Sequence, residues 1–280
     1  MDFFGLGNPL SEENMSVVKQ IAKKIYGQIV SVWRSKYPPK LVGTTNLKNR
    51  EAWLEKTLLR IPKGQRILDA GAGELQYKKF CQHLDYVSQD FGRYEGKGDA
   101  SGLQMGSWDN SRLDIVSDIT NIPVESASFD AVMCVEVFEH LPRPIDALKE
   151  FARILRLGGI LIITVPVSSL IHFAPFYFYN GFSRYFFERF LQEEGFDLVE
   201  LTPNGNYFDY IAQEIRRIES VAHRYIKGVP EPGLVDKLAT QKILNRLERF
   251  SRLGEKSSEL LSFGLQVVAR KGGRVSGKKK

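Results

Sequence analysis

Residues 66–75 read Arg-Ile-Leu-Asp-Ala-Gly-Ala-Gly-Glu-Leu: a short apolar run that ends in an acid and opens onto two glycines. Few folds ask for that combination. Glycine belongs where a chain turns tightly, or where backbone must approach a ligand with no Cβ in the way. In open α/β sheets, ligands lie at the carboxyl ends of the strands, where the strand order reverses. The segment therefore predicts the first strand of such a sheet.

The residues downstream agree. Apolar strand candidates at Arg66–Ala70, Tyr86–Gln89, Leu113–Val116, Phe129–Val135 and Gly159–Val165 alternate with helix candidates near 74–83, Ile145–Leu155 and 184–194. Alternation of this kind implies a mainly parallel sheet covered on both faces. Phe91–Arg112 is long and glycine-rich, with Met105 and Trp108 but no periodicity, and loops of that size tend to be functional. After Gly195 come a strand (Phe196–Leu201), a turn at Pro203-Asn204-Gly205-Asn206, helices near 207–227 and 235–252, and a last strand, Phe263–Ala269, expected to be antiparallel.

Upstream, Ser11 is positioned to cap a helix whose apolar residues run from Val18 to Trp33, ended by Tyr37-Pro38-Pro39. A second helix is expected near 47–60. The organisation read from the chain is a helical cap over 1–62, an α/β core over 63–202, a helical insertion over 203–262, a final core strand over 263–270 and a basic tail over 271–280. Residues 157–183 carry no Asp, Glu, Lys or Arg, but their prolines and glycines break them into a buried strand and an irregular segment, so no membrane span is expected.

Charge bears on partners. The net charge of +6 comes from residues 270–280, which hold six Lys or Arg and no acid; the rest carries 33 basic and 33 acidic side chains. The body is near neutral, and no basic patch interleaves with aromatics along the core, so nucleic acid is not expected as a partner. Two cysteines, Cys81 and Cys134, are too few for a disulfide framework or a cysteine-built zinc site. That usage, with no secretory signal at the start of the sequence, leads to the expectation of a cytoplasmic protein, and no metal site is read from the sequence.

Acids recur at the strand tips. Asp90 ends the second strand, where a carboxylate can accept both hydroxyls of a ribose. Asp118 follows the third, placed to accept from an adenine amino group, with Phe91 and Ile119 as apolar faces for the base. Taken singly, each acid is more ordinarily a loop carboxylate or a helix cap; three tips in register argue for a nucleoside. A nicotinamide dinucleotide fits less well, because its fingerprint wants glycine or alanine where this chain has Gln76.

The ordered set Leu68-Asp69-Ala70-Gly71-Ala72-Gly73, Asp90, Asp118, Ser128-Phe129-Asp130-Ala131-Val132, Glu139-His140-Leu141 and Leu157-Gly158-Gly159 resembles the class I S-adenosylmethionine-dependent methyltransferases, small-molecule branch. The resemblance spans about residues 64–202. It implies a Rossmann-like α/β fold, with a seven-stranded, mainly parallel sheet whose last strand is antiparallel, and S-adenosylmethionine as cofactor. By that resemblance Asp69 orients the glycine loop and the methionine amino group, and Ala70, Gly71 and Gly73 belong to the methionine side. Asp90 takes the ribose, Asp118 with Ile119 and Phe91 the adenine, and Val135 and Glu136 approach the sulfonium. One departure is Leu75, which stands where family loops often carry a third glycine.

The resemblance implies methyl transfer to oxygen or nitrogen of a small molecule, such as a sugar or cell-surface precursor. A hydroxyl acceptor needs a base, and His172, His140 and Glu139 follow the strands that end beside the methyl. Residues 166–187 hold nine aromatics, which read equally as a pocket wall or as a packing cluster. The helices near 207–227 and 235–252 carry a basic face, read as solvated or as a groove for an anionic or membrane-bound acceptor. Methylation of a quinone or lipid is the alternative within enzymes. A non-catalytic partner subunit that only binds S-adenosylmethionine is the alternative outside them.

Overall fold

The computed structural model describes residues 41–273, with isolated helical positions between Ser16 and Gln28. Most of the helix expected after Ser11, and the tail from residue 274, lie outside the described residues. Helix α1 (Asn46–Leu58) leads into β1 (Arg66–Ala70), β2 (Asp85–Asp90), β3 (Ile115–Val116), β4 (Phe129–Val135), α2 (Pro144–Ile154), β5 (Leu155–Pro166), α3 (Arg184–Glu193), β6 (Phe196–Asn204), α4 (Tyr207–Tyr225), α5 (Leu234–Leu253) and β7 (Gly264–Lys271).

The strands form one sheet in the order β3-β2-β1-β4-β5-β7-β6. Pairs β2/β3, β1/β2, β1/β4 and β4/β5 are parallel, while β7 runs antiparallel to both β5 and β6. This is the Rossmann-like sheet with one reversed strand that the sequence predicts. The order reverses between β1 and β4, so their carboxyl ends open onto the crevice where such sheets bind ligands.

Side chains alternate between the two faces of a strand, and here both faces are buried. Leu68, Val132, Cys134, Leu161 and Ile163 meet Leu148, Phe151 and Ile154 of α2 and Phe187 and Leu191 of α3. On the other face Ile67, Ala131, Met133 and Ile162 meet Leu54 and Leu58 of α1, with Tyr77 and Cys81. Helix α4 starts at a capping box: Asn206 Oδ1 accepts from the backbone N–H groups of Phe208 and Asp209, and the Asp209 carboxylate accepts in return from Asn206 N. Asn206 Nδ2 donates to Ser251 O at 3.0 Å and ties α5 to the same corner.

Several boundaries differ from the sequence reading. The helix expected over 74–83 is replaced by turns and a 3₁₀ turn at Lys78–Phe80. Gly73 at φ +49° and Leu75 at φ +65° both lie in the left-handed region, so no helical run can begin there. The third strand shrinks to Ile115–Val116, because the Asp114 carboxylate before it accepts from Ser88 N and Oγ at 2.8 and 2.7 Å. Strand β5 begins at Leu155 rather than Gly159, and β6 continues to Asn204, through the first half of the expected turn. Strand β7 starts one residue later than expected and runs through Lys271, whose Nζ donates to Leu155 O at 2.6 Å. The uncharged 157–183 stretch is β5 and the segment after it; no described helix is long and apolar enough to cross a membrane.

Candidate active site

A cleft of about 980 Å³ lies along the carboxyl edge of β1, β2, β4 and β5. That volume suits a cofactor together with a small acceptor. Of the residues singled out in the sequence, Gly71, Gly73, Asp90, Phe91, Asp118, Ile119, Val135, Glu136, Glu139, His140 and His172 line it, and Asp69 and Ala70 do not.

The glycine loop is shaped by what sits on it. Gly71 and Ala72 both donate backbone N–H bonds to Gln89 O, locking the loop to the end of β2. A Cβ on Gly71 would overlap the Val137 methyls, and one on Gly73 would lie 2.5 Å from Trp108 Cζ2. Both glycines have positive φ as well, so neither position accepts a side chain without strain. Leu75 keeps its positive φ but does not line the cleft, so the departure from family pattern falls outside the cavity.

Asp90 is buried at the tip of β2; its Oδ2 accepts from Gly73 N at 3.0 Å and its Oδ1 from Gly92 N at 2.9 Å. It thus joins the glycine loop to the residues after β2. Asp118 is held through Oδ1 alone, which accepts from Thr120 N and Oγ1, both at 2.8 Å. Those two bonds draw its pKa below the ordinary carboxylate range. Phe91 meets Phe176 edge to face at 4.8 Å.

Asp69 has a different setting from the one expected. It shares a strand face with Ile67, behind the cleft, and its Oδ2 accepts from Tyr86 Oη at 2.7 Å. Burial pushes its pKa up to about 7; the Tyr86 bond opposes that shift and the neighbouring Asp90 charge adds to it. A carboxyl whose folded pKa is raised stabilises the fold fully below its unfolded value near 4, and that contribution is lost as pH rises through about 7. Urea unfolding of the wild type should therefore show a loss of stability from pH 4 to 7.5 that Asp69→Asn lacks. Parallel curves for the two proteins would contradict this.

At the end of β4, Glu136 takes φ +55°. Its carboxylate is fixed by Arg50 Nη1 of α1 at 2.7 Å and by Thr164 Oγ1 at 2.9 Å. Burial works against the Arg50 charge, but Glu136, Tyr77 and Glu139 outweigh it and leave the guanidinium pKa raised. Arg50 Nε is buried without a partner.

The chemically distinctive cluster follows. Glu139 and His140 sit in the 3₁₀ turn Phe138–His140 after β4, and His172 lies in the segment after β5. His140 Nδ1 is 2.5 Å from Phe176 O and His172 Nδ1 is 2.8 Å from Leu170 O. A carbonyl only accepts, so each neutral ring carries its proton on Nδ1 and presents a lone pair at Nε2. Each Nε2 lies 3.9 Å from Glu139 Oε1, and the two rings are 4.7 Å apart between centres. His140 Nε2 and Glu139 Oε2 are buried with no hydrogen-bond partner among the described residues. Burial, and then His172, push the His140 pKa down to about 4, and burial lowers that of His172. Burial followed by the Glu136 charge raises Glu139 well above the carboxylate range.

The outer wall joins the aromatic segment after β5 to Tyr94 and Trp108, which sequence reasoning did not assign to the site. The 91–112 segment is stitched to the one after β5: Leu103 N donates to Ile171 O at 2.9 Å and Phe173 N to Leu103 O at 3.1 Å. Tyr94, Trp108 and Phe173 pack edge to face, with centres 4.5 to 5.7 Å apart. The aromatic run of 166–187 divides in two. Phe173, Phe176 and Phe178 line the cleft, whereas Phe182, Phe186 and Phe187 pack on Phe138 with the core. Arg217 of α4 also reaches the cleft, paired with Glu214 at 2.7 Å.

Comparison with known proteins follows from this geometry. Residues 96–163 match the family model described as a methyltransferase domain. Among solved structures, the chain is similar to an S-adenosylmethionine-dependent methyltransferase from Archaeoglobus fulgidus, at 14% identity over 86% of this chain and 99% of that one, with a TM-score of 0.49. It is likewise similar to a phosphoethanolamine N-methyltransferase of Haemonchus contortus in complex with S-adenosylmethionine, at 18% identity over 81% of this chain and 53% of that one, with a TM-score of 0.46. A cyclase, SpnF, matches at 17% identity over 80% of each chain, with a TM-score of 0.49. No acceptor follows from these likenesses. Residues 96–163 thus carry the methyltransferase-domain match, within a sheet of the topology that the sequence resemblance implies.

The residues lining the cleft fit S-adenosylmethionine, the donor that the sequence resemblance implies. Gly71 and Gly73 bring backbone without a Cβ to the cleft lining, Asp118 Oδ2 accepts from no described residue, and Phe91 and Ile119 supply apolar surface in the same cleft.

Proposed function

We propose that this cleft carries a methyl group from S-adenosylmethionine to a hydroxyl of a neutral small molecule. The observation that carries the reading is the pair of imidazole Nε2 lone pairs presented beside the ends of β4 and β5. The donor supplies a methyl carbon on a positively charged sulfur, displaced in line by the acceptor oxygen.

The chain's own part is alignment, exclusion of water and removal of one proton. Asp90 and Asp118 grip the ribose and adenine ends, and Val135 and Glu136 set the floor on the sulfonium side. Holding two reactants in line contributes on the order of 7–11 kcal/mol to such a step. His172 Nε2 takes the proton that the acceptor hydroxyl loses, and its Nδ1–H bond to Leu170 O fixes the ring for that role.

Charge selects the acceptor class. The charged side chains on the cleft wall are the acids Glu74, Asp90, Asp118 and Glu136 against the cations Arg50 and Arg217, each of which already has an acid partner. A wall of that sign favours a cationic donor and a neutral acceptor over a phosphorylated one. The Phe173–Phe176 wall adds a stacking surface for a ring, as in a sugar or phenol.

The test supplies labelled methyl donor with a panel of neutral polyols and phenols and with their phosphate esters. Label on the neutral compounds is expected, and label confined to the phosphate esters would overturn the reading. One observation favours a membrane-borne acceptor: Ile218, Val221, Tyr225 and Ile226 at the end of α4 share one face and are 57%, 39%, 66% and 58% exposed. Transfer to a detergent-solubilised phenolic lipid, with none to water-soluble phenols, would establish that version.

A further inference from the structure

We infer that Glu139, His140 and His172 form a binding site for one first-row divalent metal ion at the acceptor end of the cleft. Three observations point there. The ligand atoms of these side chains lie within 4.8 Å of one another. Glu139 is 1% exposed, yet its Oε2 has no partner, and the same holds for the buried Nε2 of His140. Finally, both imidazoles are oriented from behind by a backbone carbonyl, Phe176 O for His140 and Leu170 O for His172. Metal-binding histidines are held in this way, with the distal N–H donated to a carbonyl and the other nitrogen's lone pair free for the ion.

The local construction fits the same end. Glu139 O accepts from Phe178 N at 2.9 Å and from Tyr179 N at 3.2 Å, so the turn carrying Glu139 and His140 is bolted to the chain beyond His172. Three potential ligand atoms thus face one another with no described neighbouring residue donating to Glu139 Oε2 or His140 Nε2. Buried polar atoms rarely go unpaired, and a group of them in a native fold calls for an occupant.

Ligand type defines the class of ion. Two imidazoles and one carboxylate suit zinc, cobalt, iron or manganese, and not the hard oxygen-seeking calcium. In a zinc site with bonds of about 2.0–2.1 Å, neighbouring ligand atoms lie roughly 3.3 Å apart. The 3.9 Å separations from Glu139 to each histidine, within a set spanning at most 4.8 Å, would have to draw in by a fraction of an ångström to more than one ångström around the ion. His172 is partly exposed to the cleft, which leaves a coordination position open on that side. An acceptor oxygen bound there would be held at the point where the proposed function places it. Where the ion is bound, His172 would serve as its ligand in place of taking the proton itself, and the ion would lower the pKa of an acceptor hydroxyl so that its proton leaves to water on the open side. The inference rests on that reading for its purpose only, since ion binding is measured without turnover.

The test uses the full chain stripped with EDTA and titrated with Co²⁺ alone, read by the visible absorption of the bound ion and by calorimetry. One equivalent is expected to bind below about 10 µM, and His172→Gln and Glu139→Gln should each weaken binding at least a hundredfold. His223→Ala, on the far end of α4, should leave it unchanged. Because His140→Ala removes a buried bond to Phe176 O and can unfold the turn, the His172 variant decides the question; its melting temperature is checked in parallel. Binding retained in His172→Gln, or no binding in the wild type, would overturn the site. If the wild type binds no Co²⁺ but still loses turnover on His172 replacement, the metal site fails and the proton-transfer reading survives.

Discussion

Replacing Asp90 by alanine is expected to weaken S-adenosylhomocysteine binding about a hundredfold, a loss of roughly 2.8 kcal/mol. Two contributions combine. The carboxylate is the acceptor assigned to the ribose hydroxyls, and charged hydrogen bonds of that kind contribute about 1.5–3 kcal/mol each. It also accepts from Gly73 N and Gly92 N, so its removal strands two backbone donors and releases the glycine loop from the tip of β2. Asp90→Asn keeps one acceptor oxygen and should fall between, at about tenfold. Asp118→Ala should cost less, because that carboxylate is exposed to solvent and its removal frees only the Thr120 donors at Oδ1. Isothermal titration of the three variants checks the order. Affinity within threefold of wild type for a folded Asp90→Ala protein would contradict the ribose assignment.

The second large effect is on turnover. His172→Ala should lower kcat by roughly 10²–10³-fold, the span expected when a positioned proton acceptor is lost. Donor affinity should stay within about twofold of wild type, because His172 is on the segment after β5 and apart from the nucleoside end of the cleft. That split separates a role in the chemical step from a role in holding the cofactor. A fall in donor affinity matching the fall in turnover would place His172 in the binding of S-adenosylmethionine instead.

The sheet was legible because its signals are local: an apolar run, an acid or glycine at its end, and a return to apolar periodicity. That Gly71, Gly73, Asp90 and Asp118 share one cleft wall was readable for the same reason, since each lies at or shortly after the end of a strand. Asp69 shows the limit of that logic. Alternate residues of a strand face opposite ways, and the partner that draws Asp69 behind the cleft, Tyr86, sits on the adjacent strand. The helix expected over 74–83 failed on a backbone conformation, left-handed at Leu75, that leucine does not advertise.

Other groups were out of reach of spacing altogether. Arg50, Trp108 and Arg217 come to the cleft from α1, from the aperiodic 91–112 segment and from α4, elements with no sequence relation to one another. The approach of His140 and His172 was legible as far as the ends of β4 and β5, but the ring contact itself was not. It depends on backbone bonds between Leu103 and the residues flanking His172, which fold that segment back over the turn. The aromatic run could be counted in the sequence but not divided into its cleft and core halves, since both halves have the same composition.

The most direct measurement of the central claim is a crystal structure of the full chain with S-adenosylhomocysteine bound. The account predicts both ribose hydroxyls on Asp90, the adenine between Phe91 and Ile119 with its amino group toward Asp118, and the sulfur facing Glu136. A nucleoside seated anywhere else, or a ribose with no contact to Asp90, would contradict it.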